Sequence, residues 1–313
     1  MKKIVRPIVV ATMLLGLVSQ QVYAIDTTAI NEKWGKPTVV YGGGLNDQQI
    51  KETSQLLGIK DENTVTTTKA TGEDLVKYLG AGEANTSVMI SSVMVQKRNK
   101  GEGVKVHIAT PKNITLVTSE QYANAAITAG VADAEIEVAA VSKVTGESAL
   151  TGVYKAFEAN GVVLDGKRTA VAQQELELTN QIAQEQSKEK GFDAAKLDQA
   201  MIDIKKSLAE IKEKQGQVAT KEDVERIVNE ALKKYGLDKV ISPTQVNNII
   251  QFALSYQQTS AIDSKQVLEQ LNSLSNTVKG KIGQLVDQAN REGWFDKIVT
   301  FFKEIFNAIF QSK

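Results

Sequence analysis

Cysteine is absent from all 313 residues, and histidine occurs once, at His107. The first absence rules out a disulfide framework and a lipid-modified cysteine, so an exported chain of this sequence must be stable through its cores alone. The two together exclude a zinc site of the ordinary His/Cys kind, which needs several such ligands. Long apolar runs are missing too: Ile8 to Val18 falls short of the roughly 20 residues a spanning helix requires, and no comparable run follows. With neither a sortase-type ending nor a lipidation cysteine, any retention at a cell surface is non-covalent.

The N-terminus itself is informative. Lys2, Lys3 and Arg6 precede the apolar run, and Val22, Tyr23 and Ala24 offer a small-residue cleavage site, the pattern of a secretory signal peptide over residues 1–24. The expected product starts near Ile25 and is secreted, either extracellular or held non-covalently at the envelope. Taking those three cations from 37 leaves 34 against 37 acidic residues, a net charge of about −3 that gives nucleic acid no foothold.

The remaining chain is long enough for two cores, and its composition changes near Gly166. Fifteen glycines fall between Ile25 and Gly166 and six after it. The expected organisation is an α/β domain over 25–166 and a helical domain over 167–313, an α+β chain with a mixed sheet. In the first part, Thr38 to Tyr41 and Val65 to Thr68 read as strands, while Asp47 to Leu57 and Thr71 to Leu79 read as helices. Ser87 to Gln96 and Val104 to Ala109 read as a hairpin around a Lys, Arg, Asn and Gly loop. The strand and helix order then returns, with Leu57-Gly58-Ile59 matched by Ala129-Gly130-Val131 and Thr71-Gly72-Glu73 by Thr145-Gly146-Glu147, the mark of an internal duplication.

The blocks "NAAITAG" and "VTGESALTG", with the opening "YGGGLNDQQIKETSQLLGI", resemble a secreted bacterial family named Domain of Unknown Function 1002. The resemblance covers Thr38 to Gln184 closely and the helical tail loosely. It implies export in Gram-positive bacteria and, as the family's name says, no assigned activity, so no catalytic residue is carried over from it.

After Gly166 the pattern is helical. Arg168 to Lys188 and Asp193 to Lys214 are helices by spacing, Thr220 and Asp223 make a capping-box signature, and Ser242-Pro243 suits an N-cap and first position. Val267, Leu271, Leu274, Val278, Ile282 and Leu285 have heptad-like spacing, which serves either a bundle or a seam with a second chain; runs this short favour the bundle. In "WFDKIVTFFKEIFNAIF", Phe295, Ile298, Phe302, Ile305, Phe306 and Ile309 share one helical face. That face either docks on the bundle or contacts a membrane surface or another envelope protein.

Ser148 is the one nucleophile candidate, because Gly146-Glu147-Ser148 after a Val- and Ala-rich strand resembles the approach to a nucleophile elbow. The second glycine of that motif is replaced by Leu150, His107 precedes the serine, and the matching block has Asp74 in its place. Helix initiation accounts for both blocks: Thr71 and Thr145 as N-caps, Glu73 and Glu147 in a first turn that favours negative charge. His107 reads as a solvent-facing strand residue, with a lone general base as its functional alternative. Gly42-Gly43-Gly44 reads as a tight turn, the alternative being anion binding, although no P-loop or dinucleotide spacing accompanies it. Glu135 and Glu137 read as the solvated side of a half-buried strand, with weak calcium binding beside Asp133 as the alternative. Lys97, Arg98 and Lys100 read as a soluble loop tip, the alternative being contact with anionic wall polymer. The reading is thus an exported, non-enzymatic binding or structural protein with no cofactor and no metal, the alternative being a secreted serine hydrolase using Ser148.

Overall fold

The structure, a computed structural model, describes residues 34–80 and 83–291; the expected signal peptide and the apolar segment from Trp294 onward lie outside the described residues. Five short strands form one mixed sheet: β1 (Thr38–Gly42), β2 (Thr66–Ala70), β3 (Ser92–Lys97), β4 (Val104–Ile108) and β5 (Ala134–Ala139), in the order β2-β1-β3-β5-β4. β1 runs parallel to β2 and β4 parallel to β5, while β3 joins the two pairs antiparallel to both β1 and β5. All of β1 is buried, as its Thr-Val-Val-Tyr run demands of an inner strand. β2, largely exposed, is Thr-rich and carries Lys69, a composition that guards a sheet edge.

The expected hairpin between β3 and β4 does not form, because β5 lies between them. β5 is almost wholly buried, with Ile136 and Val138 on one face, and it takes the interior place next to β3 while β4 is left at the edge. The recurring strand and helix order is present, yet the two halves use it differently. The first puts its leading strand, β1, inside and the second puts its trailing strand, β5, inside.

Nine α-helices accompany the sheet among the described residues: α1 (Asp47–Leu56), α2 (Gly72–Leu79), α3 (Ser119–Ala129), α4 (Ser148–Ala159), α5 (Gly166–Gln186), α6 (Ala194–Gln215), α7 (Lys221–Lys234), α8 (Pro243–Tyr256) and α9 (Lys265–Arg291). Their starts follow the local chemistry. Thr71 and Asp74 close a capping box on α2, and Ser242 and Gln245 close one on α8 with Pro243 in its first turn.

Thr145 departs from that pattern. α4 begins only at Ser148, behind a helical Glu147 that makes no side-chain cap. Gly146 turns the chain there at φ +97°, with its carbonyl held by the Tyr122 hydroxyl at 2.6 Å. Thr145 is thereby kept off the helix, so the Thr-Gly-Glu blocks share a sequence but not a cap.

Residues alternate between the two faces of the sheet. Val40, Val93, Val95, Ile136, Val138 and Val104 face α3 and α4, and this core continues without a break into α5, α6, α7, α8 and α9. Leu150, Leu176, Ile204 and Phe252 are buried within it, each contributing about 1.5–3 kcal/mol. Gly166, where the composition changes, is the first residue of α5. The opposite face carries a smaller cluster in which Val39, Tyr41 and Met94 meet Leu57 and Ile50 at α1. That cluster, which takes in Ala139 of β5, spans only part of the face, and the part formed by Glu135, Glu137, Lys105 and His107 is polar.

Candidate functional site on the polar face of the sheet

Ser148 and His107 are not brought together. α4 lies on the first face, where a Cβ added at Gly152 would touch Val93 and Val40. His107 is on β4 in register with Glu137, on the opposite face. Among the described residues no hydrogen bond joins the Ser148 hydroxyl to the imidazole, and a nucleophile needs its base within hydrogen-bond reach.

The glycine triplet is explained by close backbone packing. A Cβ on Gly42 would lie 2.2 Å from the Met89 carbonyl oxygen, and those on Gly43 and Gly44 would lie 2.7 Å from the Ala70 and Ser87 carbonyls. The amides are also committed: Gly42 donates to Ser92 Oγ, Gly43 to Ala70 and Gly44 to Met89. No N–H of the triplet remains to hold an anion.

Asp133 is a turn organiser. It adopts φ +50°, which only a short polar side chain tolerates readily. Its buried Oδ1 accepts from Gly101 N, Gly103 N and Gln270 Nε2, each at 3.0 Å. It therefore fixes the β3–β4 connection and ties it to α9. No group of three His, Cys, Asp or Glu side chains able to hold a metal ion occurs among the described residues. The basic tip is engaged as well, with Arg98 paired to Glu135 and Lys97 donating to the Ala132 carbonyl.

The polar part of the second face gathers Gln96 of β3, Glu135 and Glu137 of β5, and Lys105 and His107 of β4, which the registers place side by side. Glu137, read from the sequence as solvated, is 2% exposed. Burial, and then the charge of Glu135, push its carboxyl up to about 7. Among the described residues no side chain hydrogen-bonds or ion-pairs with it. His107, expected to face solvent, is half-buried beside it. The arrangement can take up or release a proton near neutral pH, which is the chemistry that perturbed carboxyls bring to functional sites. The alternation of Glu135 and Glu137 was legible in the sequence; the burial that separates them was not.

A second polar centre was missed altogether. Lys205 of α6 is 0% exposed, and its ammonium donates to Glu175 Oε1 at 2.7 Å, Asn124 Oδ1 at 2.6 Å and Thr128 Oγ1 at 2.9 Å. Burial lowers its pKa, and the neighbouring Glu175 carboxylate opposes that effect. The Thr128 hydroxyl donates to Glu175 Oε2 at 2.6 Å, completing the ring of contacts. In the helical pattern Lys205 looks like any other surface lysine, so nothing in the sequence marked it. Sealed from solvent, it joins α3, α5 and α6 and has no access to a ligand.

Residues 41–274 match a protein family described as "Protein of unknown function (DUF1002)". The chain is also similar to the "Uncharacterized protein YpuA" of Bacillus subtilis (strain 168), 30% identical over 281 residues that cover 88% of this chain and 89% of the relative. No solved structure matches.

Proposed function

We propose, from the premise that the chain belongs to the DUF1002 family of proteins of unknown function, that it is an exported extracellular or envelope-associated binding protein. In this reading the apolar segment from Trp294 to Phe310 makes the contact with a membrane surface or an envelope partner. The observation that carries it is the course of α9. Val267, Leu271, Leu274 and Val278 are buried against the rest of the core, Gln270 is bonded to Asp133, and Lys281 pairs with Glu120 at 2.5 Å. The helix continues to Arg291, so an anchored stem carries the chain to within three residues of Trp294. No described helix is long and apolar enough to cross a membrane, and membrane contact would then be peripheral. The charged N-terminus, apolar run and cleavage site support export.

Deleting Trp294 to Lys313 should weaken co-sedimentation with anionic lipid vesicles and with envelope fractions, while circular dichroism retains the signal of the sheet and helices. Unchanged association would refute the reading, and loss of helix or aggregation would show instead that the segment completes the fold. The alternative of a hydrolase using Ser148 is opposed by the place of His107, which is on the other face of the sheet; labelling of Ser148 by a fluorophosphonate probe would restore it.

A further inference from the structure

Two glycines inside α9 have no packing reason to be glycine. A Cβ on Gly280 or Gly283 would meet nothing within 4 Å, and neither has the positive φ that favours the residue. The contrast within the same fold is Gly152 of α4, where a Cβ would lie 3.0 Å from Val93. Glycine in a helix interior weakens it relative to alanine, because the unfolded backbone keeps more freedom there. With nothing gained in packing, what Gly280 and Gly283 add to α9 is pliability.

Their place along the helix gives that pliability a use. Val267, Leu271, Leu274, Ser275 and Val278 are buried, and Ser275 is bonded to Gln199 of α6 at 2.9 Å. Val278 is the last buried residue described in α9. Among the described residues beyond it, Ile282 is only partly buried, and the one ion pair joins Lys281, 48% exposed, to Glu120 in the first turn of α3. Asp198 of α6 is close by, 1% exposed and with an Oδ1 that has no hydrogen-bond partner, and its carboxyl interacts with the charges of both Glu120 and Lys281. Lys281 thus acts on both carboxyl groups at this junction.

We propose that Gly280 and Gly283 form a joint in α9, and that the Lys281–Glu120 pair is the latch that holds the joint straight. When the latch opens, the part beyond the joint swings while the stem up to Val278 stays docked. Lys279 to Arg291 spans about 20 Å at about 1.5 Å per residue, so a bend of about 30° carries its end about 10 Å. The use of such a joint, presenting the apolar segment to a surface at more than one angle, rests on the envelope-binding reading; its existence does not.

The chain has no cysteine, so nitroxides at Asn272→Cys in the docked stem and Asp287→Cys beyond the joint report a single distance by pulsed electron paramagnetic resonance. In an unbroken helix these positions are about 22 Å apart. In solution without vesicles, the otherwise unaltered chain should give a broad distribution reaching to shorter distances. Adding Gly280→Ala with Gly283→Ala should narrow it to one peak near that value, and Lys281→Met should broaden it further. Asn290→Ala, which favours helix beyond the joint only, should leave it as it is. The proposal is overturned by a single narrow peak before the glycines are replaced, by a breadth the two alanines do not reduce, by no broadening in Lys281→Met, or by an equal narrowing from Asn290→Ala. None of these outcomes depends on a bound surface, so they are separate from failure of the envelope-binding reading, which vesicle co-sedimentation decides.

Discussion

Replacing Lys205 by methionine removes an ammonium from a site with no solvent to take its place. The side chains of Lys205 and Glu175 are 0% and 1% exposed, and Glu175 then keeps only the Thr128 hydroxyl as a side-chain donor. Stranding one member of a buried pair costs about 3–5 kcal/mol, a large share of the 5–15 kcal/mol that typically holds a folded protein together. Urea denaturation should accordingly show a lower midpoint with an unchanged slope. The double change Lys205→Met with Glu175→Leu should recover most of the loss, because an apolar pair of similar volume replaces both charges. Completing the cycle with Glu175→Leu alone, which strands the ammonium, separates the coupling from the cost of either truncation. A loss below about 1 kcal/mol for Lys205→Met, or a double variant no more stable than the singles, would refute the view that this pair organises the junction of α3, α5 and α6.

Two further perturbations test the sheet and its turns. In the folded protein the Glu137 carboxyl lies near 7 against an ordinary 4.5, so the native state binds that proton more tightly than the unfolded chain. Its stabilisation is full below about pH 4.5 and is lost as pH rises through 7; at about 1.4 kcal/mol for each pH unit the change amounts to about 3 kcal/mol. Stability measured from pH 5 to 8 should therefore fall more in the wild type than in Glu137→Gln, and parallel curves would contradict the buried carboxyl. Gly42→Ala, aimed at a backbone carbonyl 2.2 Å away, should cost more than about 3 kcal/mol or prevent folding. By contrast, Gly280→Ala in α9, with open space around its Cβ, should raise the thermal midpoint through about 1 kcal/mol of helix propensity. Equal effects at the two glycines would show that the Gly42 turn can move.

Much of the architecture was legible because it rests on local chemistry. Thr71 and Asp74 or Ser242 and Pro243 begin helices through contacts made within a single turn, and the Thr-Val-Val-Tyr run of β1 marks an inner strand. The hairpin expectation failed because adjacency of strands is not a local property: two runs joined by a short loop still leave room for a third between them. Thr145 failed for a related reason. Its block matches Thr71 in letters, but Tyr122, from α3, captures the Gly146 carbonyl and delays the helix to Ser148.

The sequence by itself determined the absence of disulfides, the helix starts at Thr71 and Ser242, the alternation that points Glu135 and Glu137 the same way, and the amphipathic pattern that anchors α9. Only the tertiary structure decided that β5 enters between β3 and β4, that Ser148 and His107 lie on opposite faces, and that Lys205 and Glu137 are buried. The physical reason is that periodicity reports which side a residue faces, whereas burial and charge partnership depend on what other segments bring to that side. For Glu137 the difference separates a solvated carboxylate from a carboxyl poised near neutral pH beside the chain's single imidazole.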